Sequence, residues 1–216
     1  MLKLFLLPII AIACLNGVEI TDKLIPFAEK RTALTKTYIE EHYGLYPENI
    51  SITPRIILIH YTAIDNLDDS YARFISETLP TDRPDIANAS ALNVSAHFMV
   101  DRDGTVYRLM DETTMARHVI GLNYSSIGIE NVGGEGLVDN LTPEQLQANI
   151  DLISYLAKKH TTLTYLVGHH EYRCFEDHPL WLEKDDNYRT LKHDPGARFM
   201  DQLRTQFPKL KAAPCK

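Results

Sequence analysis

Residues 55–60 read RIILIH, a run whose apolar side chains fall on both faces of a strand before a histidine ends it. A strand that is apolar on both faces is typical of a sheet covered by other layers on both sides. The runs SIGIE at residues 126–130 and YLVGH at residues 165–169 follow the same plan. The sequence therefore predicts three buried strands, each with a polar residue at or just past its carboxyl end: His60, Glu130 and His169.

The segments around these strands predict an alternation of strands and helices. The runs at residues 94–100 and 105–110 flank the turn DRDG at residues 101–104, which predicts an antiparallel hairpin. Helical spacing predicts an N-terminal amphipathic helix from Leu24 to Ile39, stopped by Gly44, and a last helix over residues 197–207.

A helix over residues 142–160 has the clearest start signal. Thr142 is a typical N-cap residue, Pro143 takes the first helical position and Gln145 the third, which together predict a capping box. The apolar spacing predicts a buried stripe formed by Leu146, Ile150, Ile153 and Ala157.

The composition is that of a single folded domain. The chain has 216 residues, of which 44% are hydrophobic, and no Gly-, Ser- or Pro-rich stretch divides it. Its 22 Lys and Arg residues are outnumbered by 29 Asp and Glu residues, so the net charge is -7. This charge argues against a nucleic-acid partner held by attraction to phosphates, and the sequence implies no protein partner.

The N-terminal run MLKLFLLPIIAIAC has one lysine, then an apolar stretch too short to span a bilayer, then small residues before a cysteine. It resembles a bacterial lipoprotein signal. We therefore expect removal of residues 1–13, lipidation of Cys14, a tether and helical arm at residues 14–53, and a periplasmic protein anchored to the outer membrane. Ordinary secretion, with Cys14 discarded, is the alternative.

Both alternatives place the protein outside the cytoplasm. Cys174 and Cys215 would then meet an oxidising compartment, where they form a disulfide or remain two free thiols. The sequence leaves this open.

The polar strand ends point to metal chemistry. In open α/β sheets, ligand sites lie at the carboxyl ends of the strands, where residues from different strands converge. Two imidazoles and a carboxylate suit a metal-assisted hydrolase, and catalytic zinc takes about three protein ligands plus a water. One more ligand is needed on a nearby loop, and Asp194 in the run KHDPG at residues 192–196 is the candidate.

These residues lie in a series of motifs that resembles the zinc-dependent type-2 N-acetylmuramoyl-L-alanine amidases, the superfamily that also holds the peptidoglycan recognition proteins. The motifs are IILIHYTA around His60, VSAHFMVDRDGTVYRL around His97, ARHVIG around His118, SSIGIENVGG around Glu130, VGHHE at His169 and KHDPG at residues 192–196. The resemblance implies an α/β domain at residues 54–210 with a mixed central sheet flanked by helices. It also implies one zinc ion in a groove for the peptidoglycan stem peptide and muramic acid.

The resemblance further implies residue roles. The zinc ligands fall on His60, His169 and Asp194. Glu130 becomes the acid-base carboxylate, and Lys192 becomes the cationic partner of the oxyanion. Three residues are expected to line the substrate groove: His97, His118 and Asn123. The implied reaction is hydrolysis of the amide bond between N-acetylmuramic acid and L-alanine.

Near neighbours compete for two of these roles. His170 follows His169, and His193 precedes Asp194. The Gly-His-x-acid spacing favours His169, with Glu171 as a candidate hydrogen-bond partner of a ligating imidazole. Asp194 is favoured over His193.

The stretch from residue 170 to 191 is longer than the corresponding link in compact relatives. We expect either a lid or groove wall, or a surface insertion without a role in binding. Three histidines without a motif are expected at the solvated surface: His42, His160 and His178.

Two other functions remain open at this point. A member that keeps the groove without hydrolysis would be a peptidoglycan-binding module. A zinc peptidase acting elsewhere in the stem peptide is the third alternative.

Overall fold

The computed structural model of the protein describes residues 17–215. The predicted signal peptide at residues 1–13 and the predicted lipidation site Cys14 lie outside the described residues. Between residues 17 and 215, no helix combines the length and the apolar character that a membrane span requires.

A six-stranded sheet forms the centre of the fold. Its strands are β1 (Ile20–Asp22), β2 (Ile56–Tyr61), β3 (Phe98–Val100), β4 (Val106–Arg108), β5 (Ser126–Asn131) and β6 (Tyr165–Gly168). They lie in the order β1-β4-β3-β5-β2-β6, and only the β3–β4 hairpin pairs antiparallel. The predicted fold class, a single α/β domain with a mixed central sheet flanked by helices, is confirmed.

Five α-helices accompany the sheet in the described part of the chain. They are α1 (Glu29–Tyr38), α2 (Leu67–Ile75), α3 (Pro84–Ala87), α4 (Pro143–Lys159) and α5 (Ala197–Gln206). A π-helical turn (Ile39–Tyr43) extends α1, and 3₁₀ turns lie at Asn123–Ser125, Glu135–Leu137 and His169–Phe175.

The central strand β2 sets the layers, because its side chains alternate between two cores. Ile57 and Ile59 pack in a cluster with residues of α4 and α5. Ile56 and Leu58 pack on the other side, in a cluster with residues of α1, the π-helical turn and the 3₁₀ turn after β6. His60 shares the second face, so the candidate site lies on the side of the sheet opposite α4 and α5.

The predicted N-terminal helix starts later than expected. Leu24 is exposed, and the backbone on both sides of it continues the pairing of β1: the Lys23 N–H donates to the Arg108 carbonyl and the Ile25 N–H to the Leu109 carbonyl, both at 2.9 Å. Pro26 explains the difference, because the residue before a proline avoids the helical region. The helix ends at Gly44 as predicted, since Gly44 has a φ of 62°.

The arm is joined to the rest of the domain. Strand β1 pairs with β4, and Tyr38 is fully buried in the core.

Helix α4 starts as predicted but buries a different face. Its capping box is present, with the Gln145 N–H donating to the Thr142 hydroxyl at 3.1 Å. Of the predicted stripe, only Ile153 is fully buried, and the other three residues are half-buried.

The centre of the buried face is polar instead. The Gln145 side-chain amide donates to the carbonyls of Val100 and Val132 at 3.1 and 2.8 Å. The Asn149 amide donates to the Asn131 side chain at 2.6 Å. These strand-end groups need partners once they are buried, and α4 supplies them.

Two further features follow only from the fold. Cys174 and Cys215 form a disulfide across 41 residues of sequence. The prediction of a surface position for His42 is wrong: this imidazole is buried, with Nδ1 2.9 Å from the Glu183 carboxylate and Nε2 2.8 Å from the Ala89 carbonyl. His160 and His178 are half-buried.

Candidate metal and catalytic site

The structure brings His60, His169 and Asp194 together. Nδ1 of His60 lies 3.0 Å from Nδ1 of His169, and one Asp194 oxygen lies 3.1 and 2.9 Å from these two nitrogens. All three side chains are buried, and their ligand atoms lie within 4.8 Å of one another. Two imidazoles and a carboxylate in this arrangement could hold a metal ion.

The sheet topology explains how these residues meet. β2 lies between β5 and β6 and is parallel to both, so the carboxyl ends of all three strands lie at one edge. His60 is near the end of β2, and His169 is the first residue after β6. Asp194 reaches the same edge from the loop that precedes α5.

The competing neighbours lie outside the cluster. His170 holds the backbone of Asp194, because its N–H donates to the Asp194 carbonyl at 2.9 Å and its Nδ1 lies 3.0 Å from the same oxygen. His193 is exposed at the cavity rim.

Glu130 lies beside His60 across the β2–β5 pair, in direct register. It is buried, and its Oε2 has no hydrogen-bond partner among residues 17–215. Burial raises the pKa of Glu130 to about 7, and the nearby Asp194 charge acts in the same direction. A carboxyl group with this pKa is poised to take up and release a proton near neutral pH.

Lys192 is half-buried at the same cavity. Burial lowers its pKa from the usual lysine value, while the carboxylates of Asp194, Asp85 and Glu130 oppose this change. Its ammonium is therefore a cation placed among acidic groups at the site.

The pKa values of two candidate ligands, His169 and Asp194, are shifted by burial and by each other's charge. Burial lowers the pKa of His169 to about 4, which favours the neutral, metal-binding imidazole. Burial alone would raise the pKa of Asp194, but His169 and His60 hold it well below its usual range. The cluster therefore presents neutral nitrogen beside an ionised carboxylate.

A cavity of about 470 Å³ opens above the cluster. His60, Glu130, His169, Lys192 and Asp194 all line it. The stretch from residue 170 to 191 contributes part of its wall, through Tyr188, Thr190 and Leu191. Tyr188 is also buried against the protein, where its hydroxyl accepts a hydrogen bond from Arg117 at 3.0 Å.

The three predicted groove residues lie mostly behind the cavity. His118 and Asn123 contribute to its lining but are buried, and the Asn123 side-chain oxygen accepts hydrogen bonds from the backbone N–H groups of residues 118 and 119. His97 does not line the cavity. It is fully buried, with Nδ1 accepting from the Gly128 N–H and Nε2 donating to the Thr114 carbonyl, both at 2.9 Å.

Two other residues near the ligands have structural contacts. Glu171 is not bonded to an imidazole: it accepts a hydrogen bond from the Gly168 N–H at 2.8 Å and pairs with Arg204. Cys174 is engaged in the disulfide and lies outside the cluster.

Two further residues at the site, Ser126 and Gly128, were not predicted from the sequence. Both lie on the same face of β5 as Glu130, because side chains two residues apart share a face of a strand. The signal was a glycine inside a strand, which often marks close approach of another group. Here that group is the His118 ring.

The fold and the cluster define an α/β protein with a His-His-Asp site at the carboxyl ends of parallel strands. Residues 51–197 match the N-acetylmuramoyl-L-alanine amidase family, Amidase_2. This match spans more than half of the chain, and the protein belongs to that family.

Similar proteins include phage endolysins. The endolysin of Escherichia phage T7 is 40% identical over 84 residues, which cover 37% of this chain and 55% of that protein. The chain thus spans about half the length of the curated relatives it matches.

Solved structures share the fold at low sequence identity. The N-acetylmuramoyl-L-alanine amidase LysC from Clostridium intestinale has a TM-score of 0.53 at 20% identity, over 89% of this chain and 99% of that chain. Peptidoglycan recognition protein-LE in complex with tracheal cytotoxin has a TM-score of 0.52 at 15% identity, over 81% of this chain and 92% of that chain.

Proposed function

We propose that the protein is a zinc-dependent amidase that hydrolyses the bond between N-acetylmuramic acid and L-alanine in peptidoglycan or its muropeptides. One observation carries the proposal. His60, His169 and Asp194, separated by 109 and 25 residues of sequence, meet in the cavity that also contains Glu130.

The residues present fit one zinc ion. Their donor atoms are two imidazole nitrogens and one carboxylate oxygen, the types that zinc takes in catalytic sites with a fourth position left open. Within the described residues, Oε2 of Glu130 has no hydrogen-bond partner, which fits a group that serves a water or a substrate. Zinc held by these residues would supply a Lewis acid that makes water nucleophilic near neutral pH and polarises the scissile carbonyl.

The other residues supply proton transfer and charge. Glu130 accepts the proton that the attacking water releases and then delivers it to the departing alanine nitrogen. Its pKa of about 7 suits both steps. Lys192 stabilises the oxyanion of the tetrahedral carbon, a contribution typically of about 3 kcal/mol for one preorganised donor.

The substrate proposal draws on the family and on the relatives. The Amidase_2 description names the muramoyl-alanine amide, and one similar structure holds a monomeric diaminopimelic acid-type peptidoglycan. A cavity of about 470 Å³ has the size of a small-molecule site and can receive part of a muropeptide.

The test is digestion of purified cell-wall sacculi, with mass spectrometry of the products. We expect free stem peptides and a glycan whose lactyl group carries no alanine. Activity should stop with a chelator and return with zinc, and elemental analysis should find one zinc per chain.

Two variants test the named residues. Glu130→Gln should keep zinc and lose about 10²- to 10⁴-fold in rate, because only proton transfer is removed. Asp194→Asn should lose zinc. Glu135→Gln and Asp186→Asn are matched controls at exposed positions and should behave as the wild type.

The outcomes separate the three functions. Products cut elsewhere in the stem peptide would identify a peptidase. Binding of muropeptide without cleavage by the zinc-loaded protein would identify a binding module. An Asp194→Asn variant with full zinc content would refute the ligand set.

We also propose that the protein is exported and held at the outer membrane by lipid on Cys14, as a periplasmic lipoprotein with residues 1–13 removed. The N-terminal sequence supports this, and so does the disulfide, since disulfides persist in oxidising compartments. A clickable palmitate analogue should label the wild type but not Cys14→Ser, and the label should fractionate with membranes. An unlabelled, membrane-free wild type would instead indicate ordinary secretion.

A further inference from the structure

We infer that His118 is a positioning residue that fixes the ring orientation and the proton of the candidate zinc ligand His60. The inference rests on the proposed zinc site and goes beyond it, because it gives a role to a buried imidazole outside the set of candidate metal ligands.

A chain of three contacts leads away from the cluster. Nε2 of His60 lies 3.0 Å from Nδ1 of His118. Nε2 of His118 lies 3.2 Å from the Ser126 hydroxyl oxygen, and that hydroxyl donates to the Leu122 carbonyl at 2.9 Å. The side chains of His60, His118 and Ser126 are all buried.

The hydrogen bond to the Leu122 carbonyl orders the protons of the other two contacts. A carbonyl oxygen only accepts, so in this hydrogen bond the Ser126 hydroxyl uses its single proton on Leu122. Ser126 then accepts from His118, whose proton lies on Nε2. The bare Nδ1 of His118 therefore accepts the Nε2 proton of His60.

The position of the proton on His60 determines which of its nitrogens faces the other candidate metal ligands. With its proton on Nε2, His60 presents the lone pair of Nδ1 toward His169 and Asp194. Ligating histidines usually donate their second N–H to a carboxylate, a carbonyl or water. Here a neutral imidazole does this, so it fixes the tautomer without adding a negative charge beside the metal.

The packing around His118 holds its ring in place. Gly128 leaves the space for it: a Cβ at this position would lie 2.8 Å from both Cγ and Nδ1 of the ring. The ring of His97 meets the His118 ring edge-on, with centroids 5.8 Å apart. The side-chain oxygen of Asn123 accepts a hydrogen bond from the backbone N–H of His118 at 2.8 Å.

Zinc affinity tests the inference without any activity assay. Titration of the metal-free protein with zinc should give a dissociation constant about 10- to 100-fold weaker for His118→Ala than for the wild type. His118→Asn should recover most of the loss, because the amide oxygen can accept in place of Nδ1. His178→Ala removes a half-buried imidazole outside the site and should leave zinc affinity unchanged.

Nitrogen-15 NMR of the histidine rings is the second readout. The wild type without metal should show a neutral His118 with its proton on Nε2, and this signal should change in Ser126→Ala. A merely structural role would lower the melting temperature of His118→Ala but would not produce this tautomer or the rescue by Asn.

Two results would overturn the inference. One is wild-type zinc affinity in a folded His118→Ala variant. The other is a His118 proton on Nδ1, which remains measurable in the wild type even if the variants do not fold. A wild type that binds no zinc would defeat the proposed function, and the NMR measurement would still decide whether the proton chain exists.

Discussion

Gly128→Ala should disturb the site through one misplaced methyl group. The new Cβ would lie 2.8 Å from two atoms of the His118 ring, whereas ordinary contact begins at 3.4 Å. The ring must therefore retreat by about 0.6 Å. Its hydrogen bonds to His60 and Ser126 and the His97 ring against it oppose this movement.

The magnitude follows from two opposing effects. Overpacking a tight core costs about 1–3 kcal/mol of stability. Replacing a strand glycine by alanine contributes about 0.5–1 kcal/mol in the other direction, because glycine loses more backbone entropy on folding. The middle of each range gives an expected net loss of about 1 kcal/mol, or a fall in melting temperature of roughly 2–4 °C for a domain of this size.

A double-mutant cycle makes the prediction sharp. In a His118→Ala background the ring is gone, so Gly128→Ala should change sign and stabilise the protein by about 0.5–1 kcal/mol. Urea unfolding followed by circular dichroism measures all four proteins. Gly17→Ala is the control, because a Cβ there meets nothing within 4 Å.

The cycle can refute the reasoning directly. An equal loss in both backgrounds would mean that the ring of His118 is not what the methyl group meets. A wild-type melting temperature for the single variant Gly128→Ala would show that the space beside β5 is not filled.

Three further predictions concern the scaffold. Gln145→Leu removes both side-chain hydrogen bonds of Gln145; the Val100 carbonyl keeps the Val132 N–H as a donor, but the Val132 carbonyl loses its side-chain donor, so the change should cost about 1–3 kcal/mol in urea unfolding. The exposed Gln147→Leu should cost less than about 0.5 kcal/mol. Cys174→Ser opens a disulfide loop of 41 residues and should cost about 4 kcal/mol; an equal stability of the reduced and oxidised wild type would contradict this. Burial acts to lower the pKa of His42, but hydrogen bonds to a carboxylate and a carbonyl raise it above the usual 6.5. The stability that His42 contributes should be full below pH 6.5 and fall as the pH rises through the higher folded-state pKa, and thermal melts of His42→Gln should lack this loss.

The helix α4 shows the limit of local prediction. Its start was predictable because Thr142, Pro143 and Gln145 satisfy the first turn by contacts within four residues. Its buried face was not, because Gln145 and Asn149 turn inward to pair with groups of strands far away in sequence. A periodicity rule counts apolar residues and does not register the partners that buried polar groups require.

The site shows the same division. The positions of His60, Glu130 and His169 at strand ends were predictable, since each follows a buried run. The arrangement of His97, His118 and Asn123 behind the cavity was not. It depends on the hydroxyl of Ser126 and the empty space at Gly128, which become informative only when the loop at residues 117–123 lies on β5.

The sequence by itself determined five of the six strands described, where α4 begins and which polar residues stand at the strand ends, because these depend on side-chain periodicity and on contacts between near neighbours. The tertiary structure brought Asp194, which the sequence favoured over His193, to the two imidazoles, and it alone decided that β1 joins the sheet, that the two cysteines pair and which face of α4 is buried. Such outcomes depend on the distances between residues up to 134 positions apart, and strand order and loop paths set those distances.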